Sequence, residues 1–172
     1  SKGLGKSQVL PKDYKIRSQI ELVLSEMAEQ VAIRLRRIKK KAKSVHIHIS
    51  YSRVESKKSI NASKKINPTQ STKQLTNQVL SLFISKYDGG AVRSIAVRYD
   101  NLIDDNLTIY TLFDDIEAIE KQRKIDKTLD TIRDKYGFLS VQNGSMLMEG
   151  SRVKKRSKLV GGHAGGIDGI IW

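Results

Sequence analysis

The sequence predicts an α+β fold: a four-stranded, mostly antiparallel sheet with two helices on one face and the other face open, in the order β-α-β-β-α-β. Three observations lead there. Four short segments read as extended strands, two of them alternating apolar and polar residues as a half-buried strand does. Two segments among them space their apolar residues by three and four, the mark of an amphipathic helix. The basic excess stops where this series ends: residues 1–103 hold 21 Lys and Arg against 7 Asp and Glu, whereas residues 104–172 hold 11 of each.

Each element has its own justification. Residues 4–10 (LGKSQVL) form a short apolar run that Pro11 stops. Residues 17–40 carry Ile20, Leu24, Met27, Val31, Leu35 and Ile38 on one face, a helix of roughly 36 Å at about 1.5 Å per residue. Its end gathers Arg34, Arg36, Arg37, Lys39, Lys40, Lys41 and Lys43, and cations there suit the negative end of the helix dipole. Residues 44–53 alternate, with Val45, Ile47, Ile49 and Tyr51 inward and Ser44, His46, His48, Ser50 and Ser52 outward. A polar turn follows. Residues 60–67 form a weaker strand, with Ile60, Ala62 and Ile66 inward; Lys64 falls on the inner parity, which suggests a bulge, and Pro68 ends it. Ser71 or Thr72 caps a helix over 72–87, with Leu75, Val79, Leu82, Phe83 and Tyr87 as its buried stripe. Asp88-Gly89-Gly90 terminates it. Residues 91–99 put Ile95, Val97 and Tyr99 on one face and Ser94, Ala96 and Arg98 on the other.

The open face of this sheet then shows His46, His48, Ser50, Ser63, Lys65, Ser94, Ala96 and Arg98, with no aromatic. Beyond residue 103 the character changes. Residues 104–106 make a turn, residues 107–113 (LTIYTLF) are apolar and extended, and six acids without a base lie between 104 and 120. Residues 114–136 resemble a helix with a thin stripe of Ile116, Ile119, Ile125, Leu129, Ile132 and Tyr136, which needs a partner surface. Residues 137–172 are rich in glycine, carry the basic run RVKKRSK, and are expected to be loop or disorder.

Composition narrows the function. A chain without cysteine has no disulfide scaffold, thiolate zinc site or cysteine nucleophile. No apolar run approaches the roughly 20 residues that span a bilayer. With no secretory signal at its start, the expected setting is the cytoplasm, and Ser1 in place of Met suggests an upstream part. The net charge of +14 points to a polyanion as partner.

Candidate catalytic motifs fall away on inspection. Gly5-Lys6-Ser7 looks like the end of a phosphate-binding loop, but QVLP follows in place of a helix. His46 and His48 point the same way from a strand, yet a metal needs a third ligand and that face offers no carboxylate. The doublets Asp104-Asp105 and Asp114-Asp115 lie in a turn and at a helix start, not on rigid elements around a metal pair. No catalytic residue and no metal ligand is assigned. The segment IYTLF is either a peptide for a partner's pocket or a staple holding the last helix to the core.

The same elements carry a resemblance. Residues 2–14 (KGLGKSQVLPKDY) resemble the opening of the little finger domain of Y-family translesion DNA polymerases, and AVRSIAVRY resembles its last strand. IYTLFDD resembles the sliding-clamp-binding peptide that follows the domain. KQRKIDKTLDTIRDKYG and RSKLVGGH look like the C-terminal region of UmuC-like polymerases from Gram-positive bacteria, their phages and plasmids. The resemblance implies a little finger domain at 1–103, a clamp-binding linker at 104–113, a helix at 114–136 and a tail at 137–172. It implies a role in bypassing damaged bases, as in SOS-type damage tolerance, with primer–template DNA, the sliding clamp and the rest of the polymerase as partners, and no membrane. The catalytic carboxylates and the Mg they use belong to parts that precede this region in the family. No cofactor is therefore expected in this chain, and no catalysis from it alone.

Carried over by position, Lys2, Lys6, Arg93, Ser94 and Arg98 match strand positions that approach phosphates, and Lys64 and Lys65 lie in the third strand. His46, His48 and Ser50 join them from the open face. At the clamp peptide, Ile109 and Tyr110 stand where the family has Gln and Leu, while Leu112 and Phe113 retain the hydrophobic plug. Two other readings remain open: a protein-interaction module whose basic domain aids docking, and an RNA-binding module of the same element order, which would stack bases on aromatics of its first and third strands.

Overall fold

A computed structural model describes residues 2–106, 115–142 and 151, and the backbone of 159–160 and 163–164. The element order is β1 (Leu4–Tyr14), α1 (Arg17–Arg37), β2 (Lys40–Tyr51), β3 (Ile60–Thr69), α2 (Thr72–Lys86), β4 (Val92–Asp100), β5 (Ile103–Asp104) and α3 (Ile116–Tyr136). The sheet runs β1-β4-β2-β3, every neighbouring pair antiparallel, and β5 adds to the start of β2. The expected fold class is the one observed.

Alternation decides which side of each central strand is buried. Val45, Ile47 and Ile49 of β2 and Ile95, Val97 and Tyr99 of β4 lie under α1 and α2. The helices answer with Ile20, Val23, Leu24, Met27, Val31 and Leu35 from α1 and Leu75, Val79 and Phe83 from α2, all fully buried. Tyr99 crosses this core and donates its hydroxyl to the Ala28 carbonyl at 2.7 Å, tying β4 to α1. Phe83 stacks on Tyr87 at 4.8 Å between ring centres.

The helix caps follow local chemistry. Ser71 takes an extended conformation and its hydroxyl accepts from the Gln74 amide. Replacing Ser71 with Ala is expected to cost about 1 kcal/mol, read as a lower denaturant midpoint at unchanged slope; an unchanged midpoint would show that the cap is idle. The turn after α2 uses Gly89 and Gly90 at φ +108° and +107°, where a side chain is strained.

Several boundaries differ from expectation. Pro11 does not stop β1. The ladder skips from Val9–Ser94 to Tyr14–Val92, so residues 10–13 bulge out of register and the missing amide of Pro11 costs nothing there. Pro68 likewise sits inside β3, and the register shifts between Ala42–Thr69 and Ser44–Lys65. β1 and β3 are the two edges of the main sheet, where proline is tolerated. α1 ends at Arg37, not residue 40, because Lys39 turns left-handed at φ +56° and Lys40 enters β2 opposite Asp104. Lys64 pairs with Val45 on the helix side of the sheet yet stays exposed at the edge.

α3 docks in an unexpected way. Its apolar stripe is only partly packed: Ile119, Leu129 and Ile132 are half-buried and Ile116, Ile125 and Tyr136 exposed, while Asp126 and Arg133 are buried. A helix turns about 100° per residue, so Asp126 points roughly a quarter-turn away from Ile125. The packed seam is ionic. Arg36 binds Asp130 through Nε at 2.7 Å and Nη2 at 3.0 Å, Asp126 lies 3.6 Å from Nη1, Arg37 pairs with Asp134, and Arg133 reaches Glu29 at 2.8 Å. Asp126 also accepts from the Thr72 amide at the start of α2. After the helix, Phe138 begins a short 3-10 turn and is itself buried. In the 137–172 region, Leu159–Val160 and His163–Ala164 pair as two-residue strands where loop was expected.

Candidate nucleic-acid interface

The register places the open face row by row. Lys65, Ser44 and Asp100 form one row; Ser63, His46, Arg98 and Gly5 the next; Asn61, His48, Ala96 and Ser7 the third; Ser50, Ser94 and Val9 the last. Four strands at about 4.8 Å spacing make this face roughly 14 Å wide. No aromatic lies on these rows.

The sequence-predicted site residues divide under this register. His46, His48, Ser50, Lys65, Ser94 and Arg98 share the open face. Lys6 does not. It pairs with Val97, whose side chain is buried under the helices, so Lys6 lies on the opposite side of the sheet. Lys2 precedes β1 and has no register partner. Lys64 also belongs to the helix side. Arg93 is the extra residue of a bulge: Ser50 pairs with Ser94 and Tyr51 with Val92, leaving Arg93 unopposed and exposed. Bulges re-aim side chains in this way. Ile109, Tyr110, Leu112 and Phe113 lie outside the described residues.

Hydrogen bonds order the middle of the face. His46 Nε2 contacts Asn61 Oδ1, and His48 Nε2 lies 3.1 Å from Ser50 Oγ. Gly5 sits opposite Arg98, and a Cβ there would meet the Val97 carbonyl at 2.8 Å, so this close strand approach requires glycine.

Carboxylates that sequence reasoning missed border the cations. Asp100 Oδ1 accepts from Arg98 Nε at 2.6 Å, and Asp13 lies 3.8 Å from Arg93. Asp100 was within reach of the alternation pattern, since it follows Arg98 by two on the same strand; the expected strand stopped one residue short of it.

Much of the basic charge of α1 is spent elsewhere. Arg36 and Arg37 face the acids of α3, and Lys40 pairs with Asp104. Arg34 donates to the Gly5 carbonyl at 3.0 Å, and burial holds its pKa below the usual value. Burial, with Arg123 nearby, likewise lowers the Lys41 pKa, against the pull of Asp105 and Glu120. Among the described residues, no three His, Asp or Glu side chains converge as a metal site, and no helix is long and apolar enough to cross a membrane.

Comparison with known proteins adds an independent line. Residues 1–112 match the model of the impB/mucB/samB family C-terminal domain. A Bacillus subtilis strain 168 protein named UvrX, for UV-damage repair, is 35% identical over 160 residues, covering 92% of this chain and 38% of that protein. DNA polymerase IV 2 of Halalkalibacterium halodurans is 28% identical over 163 residues, covering 94% of this chain and 39% of that protein. A solved chain from a complex of the beta-clamp processivity factor and the little finger domain of PolIV aligns with a TM-score of 0.48 at 12% identity, over 65% of this chain and 98% of that one. The chain spans about two fifths of the length of these curated relatives.

Proposed function

The chain belongs to the impB/mucB/samB C-terminal domain family, the C-terminal part of Y-family DNA-repair polymerases, and from that premise we propose that its open sheet face grips primer–template DNA through backbone phosphates during translesion synthesis. The observation that carries this reading is the face itself: Arg98, Lys65, His46 and His48 among hydroxyls and small side chains, with no aromatic. Its width of roughly 14 Å is comparable with the major groove of about 12 Å, with Lys65 on the β3 margin and Arg98 on β4, one strand in from the β1 edge, as the cations that reach the backbones. Contacts of that kind position a duplex without reading its sequence. This suits an enzyme that must hold any damaged template.

In this reading the remainder of the polymerase supplies the chemistry and its Mg; the described residues here gather no ligand set for the metal, and no step is assigned to them. The sliding clamp is the second partner, engaged through Leu112 and Phe113, in the cytoplasm and under SOS-type induction.

Strand order disfavours the RNA-stacking alternative. β1 and β3 are the two edges, separated by β4 and β2, so aromatics on them could not form one adjoining platform. The open-face positions of both strands are aromatic-free besides.

The test is fluorescence anisotropy of labelled primer–template DNA titrated with salt. Replacing Arg93 and Arg98 together with Ala is expected to weaken all sequences alike and flatten the log–log salt slope by about two, close to one per lost phosphate contact. Loss confined to one sequence, or no binding by the parent chain at low salt, would contradict the phosphate grip.

A further inference from the structure

We propose that Asp100 is a positioning residue that aims Arg98 at a DNA phosphate, an assignment that rests on the phosphate-gripping reading above. Both side chains leave the open face from the same strand, two residues apart, and the Arg98 Nε donates to Asp100 Oδ1 at 2.6 Å. A guanidinium has five donors in a fixed fork. With Nε committed to Asp100, the end of the fork carrying Nη1 and Nη2 has no partner among the described residues, and that edge matches a phosphate bidentately. Arg93 offers the contrast. Asp13 lies 3.8 Å away, near enough to lower the local field but too far for a hydrogen bond that would fix the fork.

Gly3 belongs to the same device. A Cβ at this position would lie 2.0 Å from Asp100 Oδ1 and 2.6 Å from Arg98 Nη2. Both contacts are with the far ends of flexible side chains, so the missing side chain leaves room for the ion pair and is not needed by the backbone there. The arrangement is a bonded Arg–Asp pair laid over a bare position just before the neighbouring edge strand. A long arginine otherwise loses rotamer freedom when it binds; one already held loses less.

Charge and orientation act in opposite directions, which makes the role testable. D100N and D100A remove the same charge, but only D100N keeps an oxygen that can accept from Nε. Measured by anisotropy on primer–template DNA at one salt concentration, D100N is expected to bind at least as tightly as the parent chain. D100A is expected to bind about fivefold more weakly than D100N, the scale of one restricted long side chain. The Arg98 Nε–H resonance in a 15N spectrum is expected to persist in D100N and to be lost by exchange in D100A. In an R98A background the two Asp100 variants are expected to be indistinguishable. G3A is expected to weaken binding as D100A does, with an unchanged thermal midpoint.

Equal affinities of D100A and D100N, in a protein where R98A does weaken binding, would overturn the positioning role and leave the grip standing. A difference between them that persists in the R98A background would overturn it too, since the effect would not pass through Arg98. Parent-level affinity of R98A itself would remove this residue from the grip, and the positioning role with it.

Discussion

Replacing Arg36 with Ala is expected to destabilise the protein by about 3–5 kcal/mol, the cost of breaking a buried ion pair from one side. The guanidinium is one-tenth exposed and uses all of its fork. Nε and Nη2 grip Asp130, and Nη1 donates to the Gln70 carbonyl and Thr72 Oγ1, each at 2.9 Å, with Asp126 at 3.6 Å. Without it, Asp126 and Asp130 remain as carboxylates at a low-dielectric seam with no countercharge from α1. Lysine does not rescue the loss, because a single ammonium cannot serve four acceptors laid out for a planar fork. Denaturant unfolding followed by circular dichroism reads the effect, and protease cleavage within 116–136 reads whether α3 leaves first. The cost persists in molar salt, since buried pairs are weakly screened. Arg37→Ala provides the control. Its pair with Asp134 is between exposed side chains and is worth less than about 1 kcal/mol. A loss below about 1 kcal/mol for Arg36→Ala would mean that α3 is held by something other than this seam.

That seam also marks the limit of what patterning can tell. The stripes of α1 and α2 and the alternation of β2 and β4 were legible because each central element buries one whole side, and a buried side imposes its period on the sequence. α3 buries Asp126 and Arg133 and sets Asp130 against Arg36, so its aliphatic stripe, though real in the sequence, names only part of the packed face. β1 fails for a related reason. Gln8 is inward and buried while Val9 is outward and two-thirds exposed, the reverse of what hydrophobicity suggests, and so the side on which Lys6 falls could not be read. Edge position is a property of the whole sheet. No local feature of 4–14 or 60–69 shows that these are the outer strands, so each proline reads as a strand end. Most of the site was legible as a list of outward residues on central strands. What was missing was the pairing of those residues with Asp13 and Asp100, which depends on register.

The second large effect is alkaline. Burial pushes the Tyr99 phenol far above its ordinary pKa, with Arg36 pulling the other way, because the ring lies wholly inside the core and its hydroxyl is committed to the Ala28 carbonyl. In the unfolded chain the same phenol ionises near pH 10. Its folded pKa is the higher one, so above pH 10 the unfolded state has released a proton that the folded state still holds. Stability contributed by the neutral phenol is intact below pH 10 and declines above it by about 1.4 kcal/mol per pH unit for this one group. Burial raises the Tyr51 and Tyr87 values as well, Lys57 opposing in both cases, and these add to the same slope. Tyr99→Phe is therefore expected to behave in two ways. Near neutral pH it is less stable by about 1 kcal/mol, the worth of one hydrogen bond. At pH 12 it is the more stable protein, because it has no phenol to ionise on unfolding. Urea midpoints of the two proteins measured from pH 8 to 12 should cross. Parallel curves would show that Tyr99 ionises within the folded state, which in turn would require a solvent path between α1 and β4 that the full burial of Tyr99 and Ala28 does not provide.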